Sequence, residues 1–305
     1  MNILIIGSNG QLGSEFFHIK KPANIKFLSP NSSELDITNM DTINNFFQKN
    51  HIDIVLNFSG YTNVEKAEED FLNANKINNL GVKNISDICN LYNSFLVHIS
   101  TDYVFGCNQK GPFKTSDKTS PINNYGLSKE LGENSIIKNS NNALIIRVAS
   151  LFGLYRNNFL KNFINILINH KKINIIYDQM ISVTYSYDLA KFILKFIENY
   201  TTHKDTNNSG VKILHVVNQG FTTWFDVVNV IANEIEIFNP DLKSIKINKI
   251  KSKDWPSKVK RPLDSRIILS DFKNLDFPFK MPKWEESLRY ASKEYLKGLN
   301  YEKKL

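Results

Sequence analysis

Short apolar runs alternate with stretches of helical periodicity through the first half of the chain. Ile3-Leu4-Ile5-Ile6 ends at Gly7, and an amphipathic stretch begins at Gln11. Ile25-Lys26-Phe27-Leu28 is a second strand candidate. A helix is predicted from about Thr38-Asn39, where polar capping residues precede Ile43, Phe46 and Phe47 at helical spacing. Ile54-Val55-Leu56, Phe95-Leu96-Val97-His98-Ile99 and Leu144-Ile145-Ile146-Arg147-Val148 read as three further buried strands, and a long helical region ends near Leu91. Strands alternating with helices predict a parallel sheet covered on both faces.

Beyond residue 150 the pattern loosens. Helices are predicted over about 157–168, 186–199, 222–237 and 284–298, with one strand near Ile213–Val217 and a polar surface loop over Thr201–Ser209. Pro240, Pro256, Pro262, Pro278 and Pro282 punctuate the last quarter, which predicts an irregular cap over the sheet. The expected division is a larger sheet domain over 1–150, rejoined by segments around 182–218, and a smaller, mainly C-terminal cap over 151–181 and 219–305.

Charge changes this picture little. Lys and Arg number 38 against 30 Asp and Glu, a net of +8, but the lysines are scattered, so a solvated surface is expected rather than a nucleic-acid partner. No run approaches the ~18–20 apolar residues of a spanning helix, and M-N-I-L-I-I-G lacks the features of a signal peptide, so neither a membrane nor secretion is expected. Cys89 and Cys107 cannot form a disulfide framework and lack metal-ligand spacing, which fits a reducing cytoplasm. The acidic residues have no compact metal-ligand spacing, so no catalytic metal is expected.

Three motifs carry chemistry. Gly7-Ser8-Asn9-Gly10-Gln11-Leu12-Gly13 follows a buried strand and opens a helix, the setting of a dinucleotide fingerprint. Gly7 allows the tight turn, Gly10 lets backbone amides approach a pyrophosphate, and Gly13 permits close helix–strand packing. The spacing is G-x-x-G-x-x-G, and a glycine-rich turn without a ligand is the competing reading. Tyr125 and Lys129 stand four apart at the start of a predicted helix, on one face, where an ammonium is expected to draw the phenol down from its usual pKa of ~10. Ser100-Thr101-Asp102-Tyr103 falls at the carboxyl end of the fourth strand, the ligand-binding edge of an open parallel sheet. His98, by contrast, reads as a satisfied core histidine, and at least two of Trp224, Trp255 and Trp284 as packing residues.

In this order the motifs resemble the extended short-chain dehydrogenase/reductase superfamily. Within it, S-T-D-Y-V-F (100–105), P-I-N-N-Y-G-L-S-K-E-L-G-E (121–133), T-N-V-E-K-A-E (62–68), R-P-L-D-S-R (261–266) and the opening M-N-I-L-I-I-G-S-N-G-Q-L-G resemble the dTDP-4-dehydrorhamnose reductase family. The resemblance implies an α/β, Rossmann-type doubly wound sheet with a smaller cap. It also implies NADPH or NADH reducing the 4-keto group of a nucleotide-linked 6-deoxyhexose. Tyr125 would donate the proton, Lys129 would hold the nicotinamide ribose and lower the Tyr125 pKa, and Thr101 would bond the reacting oxygen. Gly7, Asn9, Gly10, Gln11, Leu12, Gly13, Asp36, Ile37, Phe58, Ser59 and Gly60, with Tyr125 and Lys129, would hold the cofactor. Thr101, Asp102, Tyr103, Ser150, Arg261 and Arg266 would meet the substrate.

Two segments depart from the family. Arg147-Val148-Ala149-Ser150 stands where relatives carry R-T-S-W, and Asp178-Gln179-Met180-Ile181-Ser182-Val183-Thr184 lacks the Gly and Pro of D-Q-x-G-x-P-T. A reductase or epimerase acting on another nucleotide sugar therefore stays open, as do a regulatory NAD(P)-binding subunit and a homodimer. An acid after the second strand would favour NAD; here Ser29-Pro30-Asn31-Ser32-Ser33 precedes Glu34, with Lys26 as the nearest cation in sequence, and the expectation leans to NADPH.

Overall fold

A computed structural model describes residues 1–107, 109–170, 172–202, 210–242, 245–272 and 278–302. The first half holds β1 (Asn2–Ile6), α1 (Gln11–His18), β2 (Lys26–Leu28), α2 (Met40–Lys49) and β3 (Ile54–Asn57). Next come α3 (Val64–Glu69), α4 (Phe71–Asn75), a π-helical turn (Lys76–Gly81), α5 (Val82–Leu91), β4 (Phe95–Thr101), α6 (Asn124–Asn139) and β5 (Asn142–Val148). α7 (Phe159–Asn169), α8 (Ser186–Thr202), α9 (Trp224–Phe238) and α10 (Trp284–Glu302) follow.

The central sheet has six strands, all parallel, in the order Gly210–His215, β5, β4, β3, β1, β2. Its alternating side chains feed two cores. Ile3, Ile5, Val97, Leu144 and Ile146 face α1 and α8 through Phe16, Phe192 and Ile193. Leu4, Ile6, Leu96, Ala143 and Ile145 face the other way, onto Ile43, Phe47, Ile85 and Ile136. Burial on both sides explains why the inner strands read as continuous apolar runs. A further cluster joins α7, α9 and α10 through Leu160, Ile164, Val228, Ile231, Trp284 and Leu288.

The expected helices after residue 150 are present within a few residues of their predicted limits. The last sheet strand is displaced from Ile213–Val217 to Gly210–His215, because Gly210 and Lys212 begin an edge strand whose outer positions are polar. Of the expected loop Thr201–Ser209, Thr201 and Thr202 close α8 and 203–209 lie outside the described residues. Trp224 and Trp284 pack into the third cluster as expected, while Trp255 is exposed. Cys89 and Cys107 are unpaired. No helix among the described residues is long and apolar enough to cross a membrane.

One buried ion pair ties α6 to β5. The Arg147 Nε donates to Glu133 Oε1 at 2.9 Å and its Nη2 to Oε2 at 2.6 Å, with both side chains 3% exposed or less. Arg147 also lies 5.0 Å from the centre of the Phe105 ring. A buried pair contributes little net stability against an apolar substitute, but removing one partner strands the other charge. Arg147→Met should therefore lower unfolding free energy by ~3–5 kcal/mol in urea titration. The double change with Glu133→Leu should recover most of that loss; a double variant no better than the single would contradict the account.

Candidate active site

The sheet changes direction between β1 and β3, since β2 lies on one side of β1 and the later strands on the other. Ligands of open α/β sheets bind at such a switch point, beyond the carboxyl ends of the strands. β1 ends there in the expected glycine turn. Gly7 has φ +81°, and a side chain on it would run within 2.6 Å of the Ser59 amide after β3. The Gly10 amide donates to the Gly7 carbonyl at 3.0 Å, and Gly10 is the N-cap of α1. Gly13 lies so close to the Gly7 and Ser8 carbonyls that no side chain fits, which lets α1 rest on the strand end.

A cavity of about 450 Å³ opens at this point. Of the residues expected to hold a cofactor, Gly7, Asn9, Gly10, Asp36, Ile37, Ser59 and Gly60 line it, together with Pro30, Asn31, Ser32, Asn73 and Lys76. The Asp36 Oδ1 accepts from the Thr38 amide and hydroxyl, both at 2.9 Å, which fixes this loop. Leu12 packs in the core, and Phe58 meets Phe16 edge-on at 5.8 Å, so their side chains support the groove rather than line it. The Gln11 Nε2 is buried with no hydrogen-bond partner in the structure. Free backbone amides at a helix N-terminus and an unmatched amide donor beside them fit a dinucleotide phosphate. Lys26, the cation expected nearby, is exposed on β2; Lys76 lines the cavity instead, brought there by the helical turn before α5.

The second half of the site forms where β4 ends. The Thr101 hydroxyl accepts from the Tyr103 amide at 3.2 Å and donates to Asp102 Oδ1 at 3.1 Å, and it stands close enough to the Tyr125 hydroxyl to hold the phenol's pKa down against burial. Asn123 caps α6 by accepting from the Gly126 amide at 2.8 Å, and Glu68 accepts from the Asn124 amide at 2.7 Å, which fixes the start of the helix carrying Tyr125. The rings of Tyr103 and Tyr125 meet edge to face at 5.9 Å. Arg261 donates to the Ser257 hydroxyl at 2.8 Å, pairs with Glu65 and holds the Tyr103 pKa down against burial. One turn along α6, the buried Lys129 Nζ donates to the Ile99 carbonyl at 2.6 Å and stands 3.2 Å from His98 Nε2.

Burial governs the charges here. It pushes Tyr125 up to about 12, a rise that the Thr101 hydrogen bond opposes and the Asp102 charge assists. Burial also brings Lys129 down to about 8, against the pull of Glu133. The expectation that Lys129 draws the phenol down is thus not met: desolvation dominates, and the lysine is directed at Ile99 and His98. Asp102 is pushed up to about 7 by burial, against hydrogen bonds from Ser265 and Thr101, and its Oδ2 has no hydrogen-bond partner.

Thr101, Asp102, Tyr103, Tyr125 and Arg261 are therefore brought together, with Lys129 behind them. Arg266 is tied elsewhere: its Nε and Nη2 grip Asp264 at 2.8 and 2.7 Å, its Nη2 donates to the Gly111 carbonyl at 3.1 Å, and it lies over Phe221. Ser150 sits at φ 40°, with its carbonyl accepting from the Thr184 amide at 3.5 Å. His98 is buried and satisfied, as expected, yet one of its partners is Lys129. Nothing in the local sequence signals that contact, or Lys76 in the cavity.

Asp102 sets a pH dependence. An ordinary aspartate releases its proton near 3.8, whereas the folded carboxyl holds it to about 7. The folded chain binds the extra proton between these values, so this stabilising contribution is present at the acid end and lost as pH rises through the window. Asp102→Asn should consequently raise the urea midpoint more at about pH 8 than at about pH 5; equal gains at both would contradict the assignment.

The family model described as the RmlD substrate binding domain matches residues 1–297. A dTDP-4-dehydrorhamnose reductase of Aggregatibacter actinomycetemcomitans is 29% identical over 289 residues, 94% of this chain and 97% of the relative. The crystal structure of a dTDP-4-dehydrorhamnose reductase from Clostridium acetobutylicum superposes with a TM-score of 0.84 at 32% identity, covering 98% of this chain and 100% of the other. A Bacillus anthracis dTDP-4-dehydrorhamnose reductase, solved in complex with NADP, gives 0.84 at 30% identity, covering 96% and 99%. With a family match over residues 1–297 and a relative of 32% identity covered end to end, the chain belongs to the dTDP-4-dehydrorhamnose reductase family.

Proposed function

We propose that this chain reduces the 4-keto group of dTDP-4-dehydro-L-rhamnose to give dTDP-L-rhamnose, using NADPH. The observation that carries the reading is the Thr101–Tyr125 hydroxyl pair at the end of β4, backed by Lys129 and set beside the switch-point cavity. NADPH, when bound, supplies the hydride. The turn Gly7–Gly13 would hold its pyrophosphate and Asp36 and Ile37 would flank the adenine end, with Ser59 and Gly60 as the groove wall. Asn31, Ser32 and Lys76 offer hydroxyl, amide and ammonium groups to a 2′-phosphate, where an NAD enzyme would present an acid. The B. anthracis relative, solved with NADP, supports the same choice.

The protein's own residues move the proton. At neutral pH a phenol pushed up to about 12 is fully protonated, the form a donor to a developing alkoxide requires. Thr101 stands beside that hydroxyl, and its own proton, given to Asp102 here, would turn to the reacting oxygen as the second hydrogen bond. Lys129, now directed at the Ile99 carbonyl and His98, would hold the nicotinamide ribose. Arg261 is suited to the nucleotide diphosphate once it exchanges Glu65 for a stronger anion, and Arg266 lies further along the same segment. Residues 1–150 with 182–218 form the cofactor half; 151–181 and 219–305 form the substrate cap. Two unpaired cysteines fit work in the cytoplasm.

A second reading keeps the machinery and changes the sugar. Val148 and Ala149 are buried, and Asp178 is engaged with the Ser252 amide at 2.8 Å. The two departing segments are thus built into the structure and bear on which hexose fits. NADPH consumption should be rapid with dTDP-4-keto-6-deoxy-L-hexose and slow with GDP- and CDP-linked 4-keto sugars; the reverse order would give the second reading. Tyr125→Phe should lower turnover by ~100-fold or more while NADPH binding, followed by fluorescence, stays intact. Full activity in that variant would remove Tyr125 as the proton donor.

A further inference from the structure

The loop between β5 and α7 crosses to α1 and is fixed there by several separate contacts. Gly153 meets the Glu15 carboxyl and the Ser186 hydroxyl so closely that no side chain fits. Glu15 Oε1 accepts from the Leu154 amide at 2.8 Å and from the Ser186 hydroxyl at 3.2 Å. The Tyr155 ring stacks on His18 at 4.3 Å. Asn158 caps α7 by accepting from the Leu160 amide at 3.1 Å, and its Nδ2 donates to the Gly153 carbonyl at 2.8 Å and the Arg156 carbonyl at 3.3 Å.

Arg156 stands in the middle of this loop. Its φ is 59°, in the left-handed region that glycine adopts freely and arginine does not. The side chain is exposed, and its Nε donates to the Asn9 carbonyl at 2.6 Å, across 147 residues of sequence. Asn9 lies in the glycine turn and lines the cavity. Neither Nη1 nor Nη2 of Arg156 has a hydrogen-bond or ion-pair partner among the described residues.

Fastening the loop does not explain this arginine. Glu15, His18 and Asn158 already hold the backbone, and a glycine at 156 would take the same conformation without strain. The guanidinium instead supplies what the turn lacks. Residues 7–17 contain no lysine or arginine and one acid, Glu15. The first amides of α1 and the unmatched Gln11 Nε2 offer hydrogen bonds but no full charge. Lys76 is the one lysine or arginine among the described residues lining the cavity, and the 2′-phosphate claims it above.

We propose that Arg156 is a further cofactor-binding residue, whose two free guanidinium nitrogens meet the pyrophosphate on the Gly7–Gly13 turn. This deepens the reductase reading and rests on its cofactor half. The Asn9 carbonyl anchors Nε at the rim of the turn, so little side-chain freedom is left to lose. A planar fork then matches the paired oxygens of a diphosphate. The two cations thereby divide the cofactor: Arg156 serves the diphosphate that NADPH and NADH share, and Lys76 the 2′-phosphate that NADPH alone carries. Exposure keeps the Arg156 contribution open to screening by salt.

The test compares the full chain with Arg156→Gly, which suits the backbone at 156 and removes the guanidinium. Dissociation constants are read for NADPH and NADH by nicotinamide fluorescence, and for adenosine 2′-monophosphate by displacement of NADPH. The variant should keep the urea midpoint of the wild type and bind both dinucleotides about tenfold more weakly. Adenosine 2′-monophosphate, which has no pyrophosphate, should bind as before, and the deficit for the dinucleotides should shrink as potassium chloride is raised. Unchanged affinity for both dinucleotides overturns the proposal. So does a loss confined to NADPH, which would put Arg156 at the 2′-phosphate. A loss shared by adenosine 2′-monophosphate, a deficit indifferent to salt or a lowered urea midpoint would make Arg156 a loop fastener and overturn it equally. A wild type that binds neither dinucleotide removes the cofactor reading along with the proposal. None of these readouts needs turnover, so failure of the sugar assignment alone would leave the proposal standing.

Discussion

The site depends on how closely α6 approaches the sheet. A side chain on Gly126 would collide with the Tyr103 carbonyl, and one on Gly132 with the carbonyl of Asn78 in the π-helical turn. Hydrogen at both positions lets the helix lie against backbone on two sides, within a lysine's reach of Ile99 on β4. Tyr125 and Lys129 sit between these contacts. A wider separation would withdraw the phenol from Thr101 and the lysine from Ile99 without altering either residue.

Close approach also dehydrates the groups it brings together, and that dehydration sets the chemistry. Burial leads the shifts of Tyr125, Lys129, Asp102 and His98. Each moves toward its neutral form, as low polarisability demands. The deeply buried charge pair behind the site, Glu133 with Arg147, keeps its charges through a two-bond grip. A reductase site benefits from this arrangement, since a neutral phenol is a donor ready for use and hydrogen bonds strengthen where water is excluded.

Much of this was legible locally. Inner strands buried on both faces announce themselves as apolar runs, and a glycine turn between strand and helix has few alternative uses. The edge strand Gly210–His215 was harder to place because half its positions meet water. α6 was harder still: its buried face is Gly126, Ser128, Lys129, Gly132, Glu133 and Ile136, mostly small or charged, so apolar periodicity could not reveal which side is inward. Contacts closed over long stretches left no local trace. His98 meets Asn57 across 41 residues, Arg261 meets Glu65 across 196, and Lys76 reaches the cofactor cavity only through the fold. The rise of the Tyr125 pKa was likewise hidden, because spacing shows a neighbouring ammonium but not the loss of water around both groups.

The central claim is hydride delivery to the 4-keto carbon of a dTDP-linked hexose at the Thr101–Tyr125 pair. The most direct measurement follows deuterium from NADPH labelled at the nicotinamide C4 into the sugar, read by mass spectrometry and proton resonance. The account predicts a single deuterium at C4 of the hexose, in a dTDP-L-rhamnose product. Deuterium at another carbon, or unlabelled sugar with the cofactor unchanged, would contradict it.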